Sequence, residues 1–209
     1  MTSLAPLPAE PERSAPRRGC CSNRIVRPIV AGVALVLCIL ALAYMRAYEV
    51  PSASMEPTLM EADRIVTVLF QGRVAGPRRG DVVVLRHPNE AGQSELLVKR
   101  VVGLVGDRIK IQGGSLYRNG ERVDEPYTPE PMVDSWPMPT RYRDARRSRD
   151  VPLRLDVWGF VVPEGYVFLL GDNRNFSEDS RDWGPVSVSD LVGRVIGIYW
   201  PADRMRRVR

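Results

Sequence analysis

The chain has 209 residues, which suits one well-buried domain with a tail or an anchor and leaves little room for two separate cores. Its net charge of +5 is compatible with nucleic acid or anionic lipid. The sequence has no zinc-finger spacing and no aromatic and basic RNA-binding motif, so we predict anionic membrane lipids as partners and no nucleic acid.

Residues 1–27 are rich in proline, alanine, serine and arginine, and we predict a disordered cytoplasmic tail there. An uncharged apolar run over 29–45 follows, which predicts a transmembrane anchor over 28–46. Arginines concentrated before the run place the N-terminus in the cytoplasm and the later residues on the extracytoplasmic side of a cell membrane. The alternative is a cleavable secretory signal, because residues 41–43 resemble a small-residue cleavage site.

Short runs of β-branched and aromatic residues follow, separated by turn signals such as Asn119-Gly120. They predict a mainly β domain over 47–203, built from antiparallel sheets, with a hairpin over 117–123. A proline-containing stretch over 126–154 with a basic part at 141–149 predicts an exposed insertion, and 204–209 predict a basic C-terminal tail. The predicted strands are 64–70, 81–85, 96–102, 108–111, 166–170 and 191–200.

Two serines lie just after the apolar run, in a segment bracketed by Pro51 and Pro57. Prolines restrict the backbone, so we predict a stiff, extended loop that holds Ser52 and Ser54 near a membrane. A serine hydroxyl becomes a good nucleophile when a base takes its proton. The alternative is a serine and proline linker without chemistry.

The candidate bases are one histidine and two lysines. His87 precedes a proline, a context typical of a surface turn, although a triad that uses it stays open. Lys99 and Lys110 are the only lysines among many arginines, and lysine can lose its proton when it is buried. Lys99 lies in an apolar strand, so we favour it as the base. The alternative is that the lysine lies on the solvent-exposed face of an edge strand, and this alternative fits Lys110 better than Lys99.

A dense polar segment over 171–184 follows an apolar strand. Its glycine permits a close backbone approach, and Ser177 is suited to hold an amine by a hydrogen bond. Asp179 and Arg181 form a candidate pair that pins the segment or orients Arg100 beside the lysine. The alternative is an Asx-type turn that only connects two strands.

In this order, the segments resemble the boxes of the bacterial type I signal peptidases, the Ser/Lys-dyad leader peptidases of the signal peptidase I family. The resemblance implies coiled antiparallel β-sheets of the signal-peptidase and LexA-like type, preceded by one transmembrane helix. It implies a membrane-bound serine endopeptidase that cleaves N-terminal signal peptides of Ala-x-Ala type from exported preproteins, without a cofactor or a metal. The matching segments are 51–59, 79–84, 98–107 and 171–184.

The resemblance also implies roles for single residues. Ser54 is the implied acylating nucleophile and Lys99 its general base, while the Ser52 hydroxyl and the Ser54 N–H form the implied oxyanion hole. Ser177 is implied to position the lysine amine. The other implied supporting residues are Arg100, Gly171, Asn173, Asp179 and Arg181.

Substrate binding is implied for the strand that contains Leu96 and Val98, which would receive an extended peptide by β-augmentation. Small pockets near Met55 and Val98 would exclude large side chains. The cap-like region of the family is short here, so we expect no elaborate cap domain. Relatives in endomembranes carry histidine at the position of Lys99, which makes the bacterial branch the better match.

Two alternatives stand beside a general signal peptidase. One is a maturation peptidase dedicated to a single substrate, such as a pilus or conjugation protein, on the same scaffold. The other is a catalytically silent, membrane-tethered β domain that binds extended peptides. Self-cleaving Ser–Lys repressors share the chemistry and have related folds, but they are cytoplasmic and bind DNA, which the predicted anchor argues against.

Overall fold

The computed structural model of the chain describes residues 23–70, 76–89, 91–133, 154–156 and 159–208. The chain divides into two units, Met1–Ala41 and Leu42–Arg209. Most of the predicted tail, residues 1–22, and the predicted basic stretch at 141–149 lie outside the described residues.

Helix α1 (Asn23–Tyr44) accounts for the described part of the first unit and overlaps the predicted anchor. Its alanines and leucines favour a helix. The apolar side chains described in it, among them Val30 and Leu37, are exposed. In the described ranges, no helix combines the length and the hydropathy that crossing a membrane requires.

The second unit consists mainly of strands that pair antiparallel, which confirms the predicted mainly β class. A four-residue helix, α2 (Ser180–Trp183), lies between two of them. The strands found in the described residues are β1 (Met45–Glu49), β2 (Arg64–Leu69), β3 (Val82–Pro88), β4 (Ser94–Gly103), β5 (Arg108–Gln112), β6 (Ser115–Arg118), β7 (Glu121–Arg122), β8 (Arg154–Asp156), β9 (Gly159–Val161), β10 (Tyr166–Leu170), β11 (Val186–Ser187), β12 (Leu191–Trp200) and β13 (Arg206–Arg207).

The larger sheet has the order β1-β2-β12-β3-β4-β10-β11, with β13 paired to β12. Strand β4, which carries Lys99, lies within it. Strand β3 pairs with β4 from Ser94 to Arg100, whereas β10 pairs with β4 only from Arg100 to Gly103. Among the described residues, one edge of β4 therefore has no strand partner over 94–99.

The smaller sheet has the order β7-β6-β5-β9-β8. Its β6–β7 hairpin turns at Asn119 and Gly120, which have positive φ angles of 57° and 88°, as a type I′ turn requires. The Asn119 side chain accepts a hydrogen bond from the Arg108 N–H at 2.8 Å and donates one to Asp107 at 2.9 Å. The predicted hairpin is confirmed.

Apolar side chains from the loop between β1 and β2, residues 50–63, here named the serine loop, and from neighbouring strands form one core cluster of the second unit. Met55 and Leu59 come from the loop, Val82 and Val84 from β3, and Val98 from β4. Burying a side chain of this size contributes roughly 1.5–3 kcal/mol. The cluster therefore holds the serine loop against the strand that carries Lys99.

The six predicted strand runs coincide with β2, β3, β4, β5, β10 and β12, with small differences at the ends. Residues 206–207, predicted as part of a basic tail, form β13 and pair with Gly197 and Ile198 of β12. A Cβ at Gly197 would lie 2.9 Å from the Arg206 carbonyl oxygen. This close approach of the two backbones therefore requires a glycine.

Candidate active site

Ser54 lies in the loop that connects β1 and β2. The base of the loop is closed by a hydrogen bond from the Val50 N–H to the Asp63 carbonyl at 2.9 Å. Within the loop, a 3-10 turn over Ala53–Met55 leaves Ser54 only 8% exposed and Met55 fully buried. The candidate nucleophile is thus held on a closed loop.

Lys99 reaches Ser54 from β4. Its Nζ lies 2.7 Å from the Ser54 Oγ, and the residue is only 2% exposed. Burial lowers the pKa of Lys99 because the ammonium loses water, although the carboxylates of Asp179 and Glu178 act in the opposite direction. A neutral amine at this distance can take the serine proton. The structure therefore brings the predicted nucleophile and base into contact.

Ser52 provides a second hydroxyl at the same point. Its Oγ donates a hydrogen bond to the Ser54 Oγ at 3.2 Å, and the residue is half-buried. A serine hydroxyl rotates to suit its partners, so the same group can turn toward an oxygen bound beside Ser54. The position of Ser52 is compatible with the oxyanion role that we predict.

The polar segment after β10 holds the backbone of the serine loop. The Asn173 N–H donates to the Ser54 carbonyl at 3.1 Å, and the Asn173 side-chain amide donates to the Ala53 carbonyl at 3.2 Å. A Cβ at Gly171 would collide with the Ser177 Oγ and lie 2.5 Å from the Ser54 carbonyl oxygen. Only glycine fits at this point, so the segment and the loop can approach closely.

Asp179 organises the polar segment itself. Its carboxylate accepts hydrogen bonds from the N–H groups of Gly171 and Arg181, each at 3.1 Å, and pairs with the Arg181 guanidinium at 2.8 Å. It also caps α2, where Asp182 completes a capping box. The predicted ion pair is formed, and the same carboxylate links Gly171 at the start of the segment to α2 near its end.

The predicted hydrogen bond from Ser177 to Lys99 is not formed. Within the part of the chain that the structure describes, the Ser177 Oγ donates to the Glu178 carbonyl at 3.5 Å and makes no hydrogen bond with the Lys99 amine. The reason is geometric, because the Lys99 Nζ is directed at Ser54 while the Ser177 side chain packs against Gly171. Ser177 lies beside the site without this contact.

Arg100 pairs with Asp172, a residue that the sequence analysis missed. The Arg100 Nη2 and Nε donate to the two carboxylate oxygens at 2.6 and 2.7 Å, and both residues are buried. Thr58 of the serine loop donates to the same carboxylate at 2.5 Å. We predicted that the Asp179 and Arg181 pair pins the segment or orients Arg100. The pair holds the segment, whereas the carboxylate that orients Arg100 belongs to Asp172.

A stack of side chains continues from Arg100 toward the predicted insertion. The Tyr127 ring centroid lies 3.9 Å from the Arg100 guanidinium carbon and 5.9 Å from that of Arg174. Arg174 pairs with Glu125 at 2.6 Å. Burial and the neighbouring Glu125 raise the pKa of Tyr127, so its hydroxyl stays neutral. The start of the insertion is thereby tied to the arginine beside Lys99.

Ser54 and Lys99 line an open cleft of about 420 Å³. The three residues predicted to bind substrate lie outside its lining. Met55 and Val98 are buried in the core, and Leu96 is 39% exposed on β4. Met55 and Val98 can therefore shape a small pocket only from below its surface.

His87 lies in β3 rather than in the surface turn that the sequence predicts, and it also lines the cleft. Its ring centroid lies 4.5 Å from that of Trp183. Lys110 lies half-buried on β5 of the smaller sheet. The described residues contain no cluster of histidine, cysteine, aspartate or glutamate side chains that could hold a metal ion.

Comparison with known proteins identifies the family of the chain. The family described as signal peptidase, peptidase S26, matches residues 22–200. A signal peptidase I from Leptolyngbya laminosa is 32% identical over 95% of this chain and 89% of that protein. A signal peptidase I from Bacillus caldolyticus is 38% identical over 74% of this chain and 79% of that protein.

Among solved structures, a signal peptidase I from Enterococcus faecalis V583 is 27% identical, with a TM-score of 0.42, over 58% of this chain and 97% of that chain. The family assignment rests on the match across residues 22–200 and on the two sequence relatives. This chain belongs to the signal peptidases of peptidase family S26.

Proposed function

We propose that this chain is a membrane-bound serine endopeptidase that cleaves Ala-x-Ala signal peptides from exported preproteins. The observation that carries the proposal is the 2.7 Å contact between the buried Lys99 amine and the Ser54 hydroxyl. A buried lysine with a structural role usually pairs with a carboxylate. The nearby Asp179 carboxylate is instead occupied by Arg181, which favours a neutral, basic amine.

In the first step, the neutral Lys99 amine takes the hydroxyl proton while the Ser54 Oγ attacks the carbonyl carbon of the scissile bond. The Ser52 hydroxyl and the Ser54 N–H stabilise the negative oxygen of the tetrahedral intermediate. The C–N bond then breaks, and the Lys99 ammonium gives its proton to the leaving amine. The mature protein leaves, and the signal peptide remains as an ester on Ser54.

In the second step, a water molecule attacks the ester. Lys99 takes a proton from the water and returns it to the Ser54 oxygen, so the signal peptide leaves with a free carboxylate. Both steps need the neutral amine. Activity is therefore expected to rise as pH increases through the lowered pKa of Lys99.

The unpaired edge of β4 at 94–99 supports the binding of an extended peptide, because it offers main-chain hydrogen-bonding groups. Side chains of an extended peptide alternate between its two faces. Ala53 and Leu97 line the cleft beside Ser54, and the buried Met55 and Val98 support it from below, so small residues at alternate positions of the peptide would fit there. This argument favours Ala-x-Ala before the cleaved bond.

We place the reaction at the outer face of a membrane, with α1, which covers residues 28–44 of the anchor predicted over 28–46, as a single-pass anchor and the N-terminus in the cytoplasm. The uncharged sequence over 29–45 and the arginines before it support this placement, and those arginines would attract anionic lipids. To check the anchor, cells that produce the chain are separated into membrane and soluble fractions. We expect the cleavage activity in the membrane fraction.

The test of the function incubates the purified full chain with a precursor that carries Ala-x-Ala before its mature sequence. We expect release of a mature protein whose N-terminus directly follows the second alanine, as measured by mass spectrometry. Ser54→Ala is expected to release none and to unfold at the wild-type temperature, and a precursor with leucine at both alanine positions should stay intact. Equal cleavage by both proteins, or none by the wild type, would overturn the proposal.

Ser52→Ala is expected to slow cleavage by about 10²–10³-fold in kcat, the scale for removing one oxyanion donor. KM should change little, because the lost interaction forms in the transition state. Steady-state kinetics on the same precursor measure both constants. Ser189→Ala, at an exposed serine outside the cleft, is the matched control, and a wild-type kcat for Ser52→Ala contradicts the oxyanion role.

A further inference from the structure

Two arginines near the end of the second unit bind the serine loop. The Arg206 Nη2 donates to the carbonyl oxygens of Thr58 at 2.8 Å and Pro57 at 3.2 Å. Arg204 donates from Nε and Nη2 to the two carboxylate oxygens of Asp63, each at 2.8 Å. Residues 204–208 therefore contact the loop at its middle and at its base.

Asp63 holds the base of the loop. Its carboxylate accepts a hydrogen bond from the Met60 N–H at 2.9 Å, and its carbonyl accepts one from the Val50 N–H at 2.9 Å. Burial opposes the ionisation of Asp63, but the hydrogen bonds from Arg204 and Met60 outweigh it and lower the pKa of Asp63. The base of the loop is thus a charged, partly buried contact between Asp63 and Arg204.

The sheet fixes the backbone of Arg206 in place. Arg206 pairs with Ile198 of β12, and the Val208 N–H donates to the Ile196 carbonyl at 3.2 Å. The Val208 side chain packs against the core cluster that contains Met55. The backbone that carries the Arg206 side chain is therefore held by β12 at Arg206 itself and again at Val208.

Thr58 links the Arg206 contact to β4, the strand that carries the proposed general base, Lys99. Its carbonyl accepts from Arg206, while its hydroxyl donates to Asp172 at 2.5 Å. Asp172 in turn pairs with Arg100, the neighbour of Lys99 on β4. A continuous set of hydrogen bonds runs from Arg206 to the strand that carries the amine.

We infer that Arg206 is a positioning residue for the cleavage reaction, because it holds the Pro57 and Thr58 carbonyls and so keeps the serine loop within proton-transfer distance of Lys99. The inference rests on the proposed function. Arg206 acts through the loop and contributes no atom to the reacting groups. Its neighbour Arg207 is also exposed, and its side chain makes no hydrogen bond or ion pair with the described residues.

Arg206→Ala is expected to lower kcat by roughly 10–100-fold, since a misplacement of about 1 Å costs up to ~10²-fold. KM should stay near the wild-type value. Arg206→Lys should recover part of the loss, because an ammonium also donates to carbonyl oxygens. Arg207→Ala, with the same change of charge, should match the wild type.

The pH profile separates positioning from a loss of stability. A loosened loop admits water to Lys99, which weakens the desolvation that lowers its pKa. The acid limb of kcat/KM should then move to higher pH in Arg206→Ala and stay in place in Arg207→Ala. A lower unfolding temperature with unchanged kcat and an unmoved acid limb overturns the inference, as does an equal loss in both variants.

Amide hydrogen exchange tests the inference without relying on cleavage. The Glu56 and Leu59 N–H groups, which bond to Ala53 and Met55 within the loop, should exchange faster in Arg206→Ala than in Arg207→Ala and the wild type. Equal exchange in all three proteins overturns the inference whatever the kinetics show. A wild-type chain that cleaves no precursor refutes the proposed function, and the exchange result still decides the role of Arg206 in the loop.

Discussion

Arginine in place of Lys99 is expected to remove cleavage although the positive charge is retained. The guanidinium of arginine does not lose its proton in a protein, so it cannot take the Ser54 proton in either step. Loss of a general base lowers the rate by about 10²–10⁴-fold. Steady-state kinetics on the Ala-x-Ala precursor should show this loss in kcat/KM.

Lys110→Arg is the matched control, because it makes the same exchange at the other lysine of the chain, on the smaller sheet. It should leave kcat/KM unchanged. Lys99→Met separates chemistry from packing, since methionine fills a similar volume without a charge and should fold but not cleave. Substantial cleavage by Lys99→Arg would refute the lysine mechanism and favour a base elsewhere in the cleft, such as His87.

Asp172→Asn is expected to lower the free energy of unfolding by about 3–5 kcal/mol, the loss typical of a buried ion pair with one partner removed. Asparagine keeps the size of the side chain but leaves the buried Arg100 guanidinium without its carboxylate. The hydrogen bond that Thr58 donates to this carboxylate would also weaken. Urea unfolding of both proteins measures the difference.

Glu49→Gln provides the control for this change of charge. Glu49 pairs with Arg64 at 3.9 Å, and both side chains are more than half exposed, at 63% and 53%. Exposed pairs contribute about 0–1 kcal/mol, so the unfolding curve should barely move. If Asp172→Asn destabilises the chain no more than Glu49→Gln, Asp172 does not hold Arg100 as the geometry implies.

Much of the fold was predictable because its signals are local. Short runs of β-branched and aromatic residues predicted six strands, and Asn119-Gly120 predicted a hairpin whose positive φ angles the structure contains. The candidate base was also found locally, since Lys99 is one of two lysines and lies in an apolar strand. Its distance from Ser54 was not predictable, because 45 positions separate the two residues.

Sequence alone determined the strand pattern, the order of the family segments and the choice of an amine that burial can neutralise. Tertiary structure alone decided which charged groups from distant parts of the chain meet. Leu170 of β10 pairs with Arg100 of β4, so Asp172, two residues farther on, reaches the guanidinium.

The same applies to residues 204–208, whose composition suggested a tail. Strand β12 pairs with both β2 and β13, which brings Arg204 to Asp63 and Arg206 to the serine loop. These partners lie 141 and 148 positions apart in the chain. Strand order selects such partners, and no local pattern of residue types encodes strand order.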